Sequence, residues 1–393
     1  MPRKKKEEME LDLGEITPSK YSEEPSSYKK LEELENSEKV VFEPVSNPEE
    51  YVSTGCTVLN LLLSNSIDCG FRKGSVIRAQ GHESSGKTAF VLYFISRMCK
   101  NDTYSSYNIN YRDHEVGATL NIASVYGEDT FNRLSIETPD DPSLEGEFAF
   151  IKEKCSESPS VIVEDSLDSL MSVKTKKLFE SNGNAALSGN DVKEGAMGVD
   201  QRVMSSGFKL ILSPIEKTKS LLFLISQKRE SLDPFAVNAK FNTSGGNALK
   251  HAASYCLSFS SNPKRDAITR TKRGLEQKIG QKVQVEVIKN RGTGFVNIGR
   301  PIQLYLYFDR GFVDVESVLD FLIDTTQTFK TIGAGWTDVS ALYGTTDTGK
   351  PVTMKKADII HRWYYDKDEF NKARELAGKE WLAMLSELYS DIF

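Results

Sequence analysis

The chain lacks cysteines at any ligand or redox spacing. Its five, Cys56, Cys69, Cys99, Cys155 and Cys256, form no CxxC pair and no cluster. That excludes a disulfide scaffold or zinc ribbon and points to reduced, mostly buried thiols in a cytoplasmic protein. The four histidines are equally scattered, which argues against a structural metal site. No apolar run approaches bilayer length, and the N-terminus is charged, so neither a membrane span nor a signal peptide is expected, and no membrane partner. Positive charge is not in excess either. A net charge of −6 argues against a general polyanion binder but leaves room for a local basic channel. The small basic run Arg3 to Lys6 reads as a solvated tail.

What is present is an ordinary globular composition, 39% hydrophobic and 27% charged over 393 residues, enough for one large domain with appendages. Residues 1–50 are charge-rich, with a short helix expected at Tyr28 to Glu35 and a short strand at Val40 to Phe42, and read as an arm. From Val52 strands alternate with helical stretches. Strand candidates are 75–80, 108–111, 160–165, 220–227, 255–260, 283–289 and 302–308. Several are unbroken Val/Ile/Leu runs, the pattern of strands buried on both faces. The alternation predicts an α/β fold with a mainly parallel sheet. After about Thr328, Gly/Thr-rich turns and an amphipathic stretch from Asp366 to Phe393 leave room for a small C-terminal subdomain. The domains expected are thus 1–50, 51–327 and 328–393.

The strongest local signal is Gly81-His82-Glu83-Ser84-Ser85-Gly86-Lys87-Thr88, a complete GxxxxGK[ST] loop. In such a loop backbone N–H groups turn inward around the phosphates of a nucleotide, and the following helix adds the positive end of its dipole. Lys87 is placed along the β and γ phosphates, the Thr88 hydroxyl on Mg²⁺, and Ala89 opens the helix. An acid must help position the metal, and Ser160 to Ser166 supplies one: Asp165 at the end of an apolar strand. Strand alternation points its neighbour Glu164 to the opposite face. Hydrolysis of ATP also needs a carboxylate to orient water, for which Asp113 and Glu115 are the candidates. Gln227, at the end of 221–227, suits a γ-phosphate sensor.

Taken in order, these pieces resemble the RecA-type homologous recombinases, particularly the bacterial and phage-like branch. The loop 83–88, the strand ending Asp165-Ser166, the strand leading to Ser226-Gln-Lys-Arg229, the string Thr243-Ser-Gly-Gly-Asn-Ala-Leu-Lys250 and Val287-Ile-Lys-Asn-Arg291 carry the likeness. The resemblance implies a RecA-like P-loop ATPase core, ATP and Mg²⁺ as cofactors, and a DNA-dependent ATPase acting in recombination and repair. It implies a helical homopolymer on single-stranded DNA that pairs with duplex DNA and exchanges strands. A first DNA-facing loop falls near 190–198, with Met197 wedging between bases beside Gly198, Arg202 and Ser205 toward phosphates, and Lys209 in place of a nearby arginine. A second falls at 228–244, with Phe235, Phe241 and Ser244, followed by the Gly245 and Gly246 N–H groups. Lys289 and Arg291 match a cationic pair that reaches the ATP of the neighbouring subunit, and Lys250 another residue of that interface.

Departures from the family pattern accompany the likeness. The catalytic Glu aligns with Asp113, one methylene shorter, with His114 and Glu115 directly after it. Tyr111 stands where the family has an acid. The basic residues of the family's second DNA site align with Ser260, Ser261, Gln284 and Glu286, while the basic stretch Lys264 to Lys282 is expected to take over duplex binding. Two rival readings stay open: a filament or mediator protein that binds ATP and DNA but scarcely hydrolyses, and a ring-forming helicase with the same core.

Overall fold

The computed structural model describes residues 42–115, 121–188, 198–230, 241–243, 246–293 and 301–390. Eleven strands form the main sheet: β1 (Ser75–Gly81), β2 (Asn108–Asp113), β3 (Leu134–Glu137), β4 (Ser160–Asp165), β5 (Leu221–Glu230), β6 (Phe241–Thr243), β7 (Tyr255–Ser260), β8 (Ala267–Lys272), β9 (Leu275–Asn290), β10 (Ile302–Tyr307) and β11 (Gly311–Val313). Their order is β11-β10-β9-β7-β1-β5-β4-β2-β3, with β6 paired to β5 and β8 to β9. The six strands from β7 to β3 run parallel, and β9, β10 and β11 extend the sheet in antiparallel fashion. The expected α/β architecture is therefore present.

Every expected strand of the core appears, and four extend past their expected ends. β5 runs on through Glu230, and β9 begins at Leu275 rather than 283. The edge strands β3, β8 and β11 were not expected. Two are half or fully exposed and carry little of the apolar patterning that announces a buried strand. Of the expected N-terminal elements, the helix at 28–35 lies outside the described residues. Phe42, the described end of the expected short strand, is not in a strand; its ring lies 4.9 Å from that of Tyr389.

Alternation along the parallel strands sends side chains into two apolar clusters, one per face. On one face Ile77, Ala79, Val161, Val163, Phe223 and Ile225 pack with α1 (Thr57–Ser64) and α2 (Lys87–Cys99). On the other, Val76, Ile162, Leu222 and Leu224 meet α3 (Leu144–Glu157) and α4 (Val199–Lys217). Helix α4 buries Met204, Gly207, Phe208, Ile211 and Ile215, a three- and four-residue spacing that keeps one face inward. A Cβ at Gly207 would stand 2.2 Å from the Phe148 ring, so the glycine lets that ring of α3 lie directly against the backbone of α4. Each large side chain buried this way contributes roughly 1.5–3 kcal/mol.

Helix α5 (Gly246–Ala252) precedes β7, and α6 (Asp314–Asp320) follows β11. The C-terminal region forms a three-stranded antiparallel sheet, β12 (Lys330–Gly333), β13 (Trp336–Asp338) and β14 (Thr353–Lys355), followed by helices α7 (Lys356–Tyr365) and α8 (Lys367–Ser390). Trp363, Ala373, Ala377, Trp381 and Leu385 share the apolar cluster of α1 and α2. The Trp381 indole donates to Asn65 Oδ1 at 3.1 Å, and Arg374 donates to Thr57 Oγ1 at 2.7 Å. All five cysteines are free and buried, and among the described residues no helix is long and apolar enough to cross a membrane.

Candidate active site

The glycine-rich loop lies between β1 and α2, at the C-terminal tips of the parallel strands. Ser84 (φ 57°) and Gly86 (φ 94°) take left-handed conformations, which bend the backbone into a concave turn of the kind that collects N–H groups around an anion. Gly81 has no room for a side chain: a Cβ would meet the Phe259 carbonyl oxygen at 2.3 Å and Ser85 Oγ at 2.7 Å. Gln281 on β9 holds the loop from the far side, its Nε2 donating to the Ser84 carbonyl at 2.8 Å. Lys87 is buried beneath it, with Nζ donating to the Gly81 and His82 carbonyls at 3.0 and 2.7 Å. Ser85 Oγ is buried without a hydrogen-bond partner among the described residues. A constricted loop, a buried ammonium and a spare hydroxyl beside a helix N-terminus together fit a nucleotide phosphate group.

The metal pair expected from the sequence lies together, Thr88 Oγ1 donating to Asp165 Oδ2 at 3.3 Å. The Tyr111 hydroxyl donates to the same oxygen at 2.5 Å. Burial raises Asp165 above the ordinary carboxylate range, while the Tyr111 and Thr88 hydrogen bonds pull it back. Tyr111 and Asp113 alternate correctly to share this face of β2, so Tyr111 replaces an acid with a neutral donor to the acid that remains.

The two water-orienting candidates separate here. Asp113 is buried and accepts the Glu115 backbone N–H at 3.2 Å. The Glu115 carboxylate is exposed. It accepts from Gln227 Nε2 at 3.2 and 3.3 Å and from the Ser166 hydroxyl at 3.0 Å. The acid and the sensor are therefore in contact through Glu115. Gln227 is not at a strand end, as expected, because β5 continues past it into a short hairpin with β6.

Glu164 does face away from Asp165. It is fully buried, its Oε2 paired with His114 Nε2 at 2.8 Å, and burial pushes its carboxyl up to about 7 against the pull of that histidine. Glu147 lies close enough for the three to suggest a metal site, yet its two oxygens are bound by Arg112 Nε and NH2 at 2.9 Å each. The arrangement is a buried polar network that fixes the ring of His114, the residue between the two candidate acids in the chain. Alternation located Glu164; its partners, and the Gln281 brace, had no local signal, because they come from residues far along the chain.

Lys289 and Arg291 do not approach the loop of their own chain. Lys289 is level with Cys256 and so with the middle of β1, and its ammonium donates to the Lys250 and His251 carbonyls at 2.5 and 3.3 Å. Burial, then Arg291 and Lys250, lowers its pKa. Of the DNA candidates, Gly198 (φ 79°) caps α4, on which Arg202, Ser205 and Lys209 are all exposed at three- and four-residue spacing, hence along one face. Phe241 begins β6 and Gly246 opens α5. Met197, Phe235, Ser244 and Gly245 lie outside the described residues.

With this geometry in place, comparison with known proteins gives concordant matches. The family described as the RecA N-terminal domain matches residues 41–312. Among curated proteins, "Protein RecA" of Ureaplasma parvum is 30% identical over 267 residues, 65% of this chain and 67% of the relative. The same-named protein of Malacoplasma penetrans is 26% identical over 269 residues, covering 67% and 72%, and that of Borrelia turicatae 28% over 283, covering 70% and 68%.

Proposed function

Because this chain belongs to the RecA family, it is a recombinase, and we propose the following division of work among its residues. ATP binds with its phosphates in the loop Gly81–Thr88 and Lys87 along the β and γ phosphates. Thr88 and Asp165 would hold Mg²⁺, which when bound would neutralise phosphate charge. Glu115 orients the attacking water, and Gln227, hydrogen-bonded to it, relays the presence of the γ-phosphate to β5 and the segment beyond. Asp113 anchors the turn that carries Glu115. Hydrolysis yields ADP and phosphate.

Single-stranded DNA lies along the exposed face of α4 and the segment between β5 and β6, with Arg202 and Lys209 toward phosphates. Lys289 and Arg291, remote from their own loop, supply positive charge to the ATP of the next protomer, so that turnover depends on assembly into a helical filament. Residues 1–50 form the arm that docks on that neighbour, 51–327 the ATPase and DNA-binding core, and 328–393 a small appended subdomain. The observation that carries the reading is the contact between Gln227 and Glu115 beside the phosphate loop.

The test is ATP turnover by the purified protein with no DNA, single-stranded DNA and duplex DNA, with electron microscopy of the same samples. Strong stimulation by single strands together with helical filaments is expected. Filaments without turnover would leave a binding-only protein, and closed rings would indicate a helicase.

A further inference from the structure

The strands β8 and β9 form a hairpin that outruns the sheet. Residues 269–272 and 275–278 pair only with each other, and β9 joins β10 from Gly280 onward. Between residues 264 and 282 stand seven lysines and arginines against two acids, in a chain whose net charge is −6. Arg265 is neutralised by Asp266. Arg270, Lys272 and Arg273 are exposed and have no ion-pair partner among the described residues.

A charged hairpin alone reads as a solvated face. This one forms a wall of a groove of about 930 Å³, whose opposite wall is helix α7 and whose floor includes the turn after β10. The groove is lined with aromatic rings left to solvent: Phe308 is 48% exposed, Tyr364 46% and Tyr365 73%. They are fixed rather than loose. The Arg310 guanidinium donates to the Tyr364 hydroxyl at 3.0 Å, the Tyr365 ring lies 4.8 Å from that of His361 and 5.3 Å from that of Tyr364, and Lys278 stands over Phe308 at 5.6 Å. Arg270 lines the groove with these rings, and Lys272 and Arg273 continue the line of charge beyond it toward the hairpin turn. Exposed flat rings and accessible cations are the chemistry that holds unpaired bases and their phosphates. A closed duplex hides the faces of its bases and would use only the cations.

We propose that this groove binds a single-stranded nucleic acid segment, with bases against Phe308, Tyr364 and Tyr365 and phosphates along Arg270, Lys272 and Arg273. It is separate from the exposed face of α4, which packs on the other side of the sheet, and the assignment stands independently of the ATPase reading. It also replaces the expectation that the stretch 264–282 is a duplex site: the hairpin alone suits a duplex, but hairpin and ring-lined groove together suit an unpaired strand.

The experiment uses the full chain and a short bromodeoxyuridine-substituted oligothymidylate, photocrosslinked and mapped by mass spectrometry. Crosslinks are expected on the peptides that carry Phe308 or Tyr364 and Tyr365. In the triple variant Arg270→Glu, Lys272→Glu, Arg273→Glu their yield should fall by about tenfold or more at moderate salt, while crosslinks on other peptides persist. These three side chains are exposed, so the variant should keep its fold and its DNA-free ATP turnover, which serves as the control. No crosslink at those rings, a yield indifferent to charge reversal, or equal labelling by a fully paired duplex of the same sequence would overturn the proposal. Loss of ATP turnover stimulation with the crosslinks intact would count against the proposed function and leave this site standing.

Discussion

Two neighbouring parts of one edge of the sheet carry their charge in opposite ways. At the tips of β1, β2, β4 and β5, Lys87, Thr88, Tyr111, Glu115, Asp165, Ser166 and Gln227 are tied to one another or to the loop by hydrogen bonds. On the β8–β9 hairpin, Arg270, Lys272 and Arg273 stand in solvent without ion-pair partners among the described residues. Moving a phosphoryl group demands fixed geometry, and each polar group near the loop is held in one place by another. Attracting a polyanion demands only accessible charge, because counterion release does not depend on a single arrangement. Substitutions should therefore have large, position-specific effects around the phosphate loop and graded, salt-dependent ones on the hairpin.

The sharpest test of that contrast separates two acids two residues apart. Glu115→Gln keeps the shape and removes the charge from the group that Gln227 touches, and turnover should fall by about a hundredfold or more, with the Michaelis constant for ATP little changed. Asp113→Asn should cost no more than about tenfold, since a buried side chain that anchors the turn still offers an oxygen to the Glu115 N–H. Steady-state kinetics of the two variants decide the matter. If Asp113→Asn is the more damaging, the shorter acid is the catalytic one and the Gln227 contact is incidental.

A second test strikes the scaffold rather than the chemistry. In Gly81→Ala the added methyl would lie 2.3 Å from the backbone oxygen of Phe259, which β7 cannot withdraw without breaking its register with β1. A loss of about 2–3 kcal/mol is expected from such overpacking, measured by urea unfolding, together with weakened nucleotide binding. A glycine-to-alanine change on the hairpin, Gly274→Ala, meets no atom within 4 Å and should cost less, its burden being the φ of 81° alone.

The same contrast explains what was legible in the sequence. The phosphate loop, Asp165 and the outward turn of Glu164 follow from local order, namely a motif, an apolar run and a two-residue period. β4 and β5 were visible because their buried stretches read as apolar strings, and β1 because it alternates directly ahead of the phosphate loop. β8 was not, because a hairpin exposed on both faces has no reason to alternate. The braces of the site were also hidden: Gln281 reaches the loop across 197 residues, and Arg112 meets Glu147 across 35. Such pairs are products of the fold, and one chain's sequence does not announce them. For the same reason the choice between Asp113 and Glu115 became concrete only when Gln227 was seen beside one of them.

The smallest expected effect concerns the junction beneath the hairpin groove, where chemistry-grade burial meets the solvent-facing end. Glu316 on α6 is buried, accepts from the Tyr307 hydroxyl at 2.7 Å through one oxygen and leaves the other without a partner. Burial raises its pKa above the ordinary value, Asp320 adds to the rise, and the Tyr307 hydrogen bond and Arg310 oppose it. A carboxyl whose pKa is higher in the folded than in the unfolded chain favours folding while protonated. Its contribution is complete below the unfolded value of about 4.3 and is lost as pH rises through the folded one. Glu316→Gln keeps an oxygen for Tyr307 and cannot ionise. The melting temperature of the native chain should therefore decline relative to this variant as pH rises from about 4 to about 7, by about one or two degrees in all. A parallel pair of melting curves across that range would mean that Glu316 titrates as it does in the unfolded chain, and that the groove floor is as open to water as the hairpin above it.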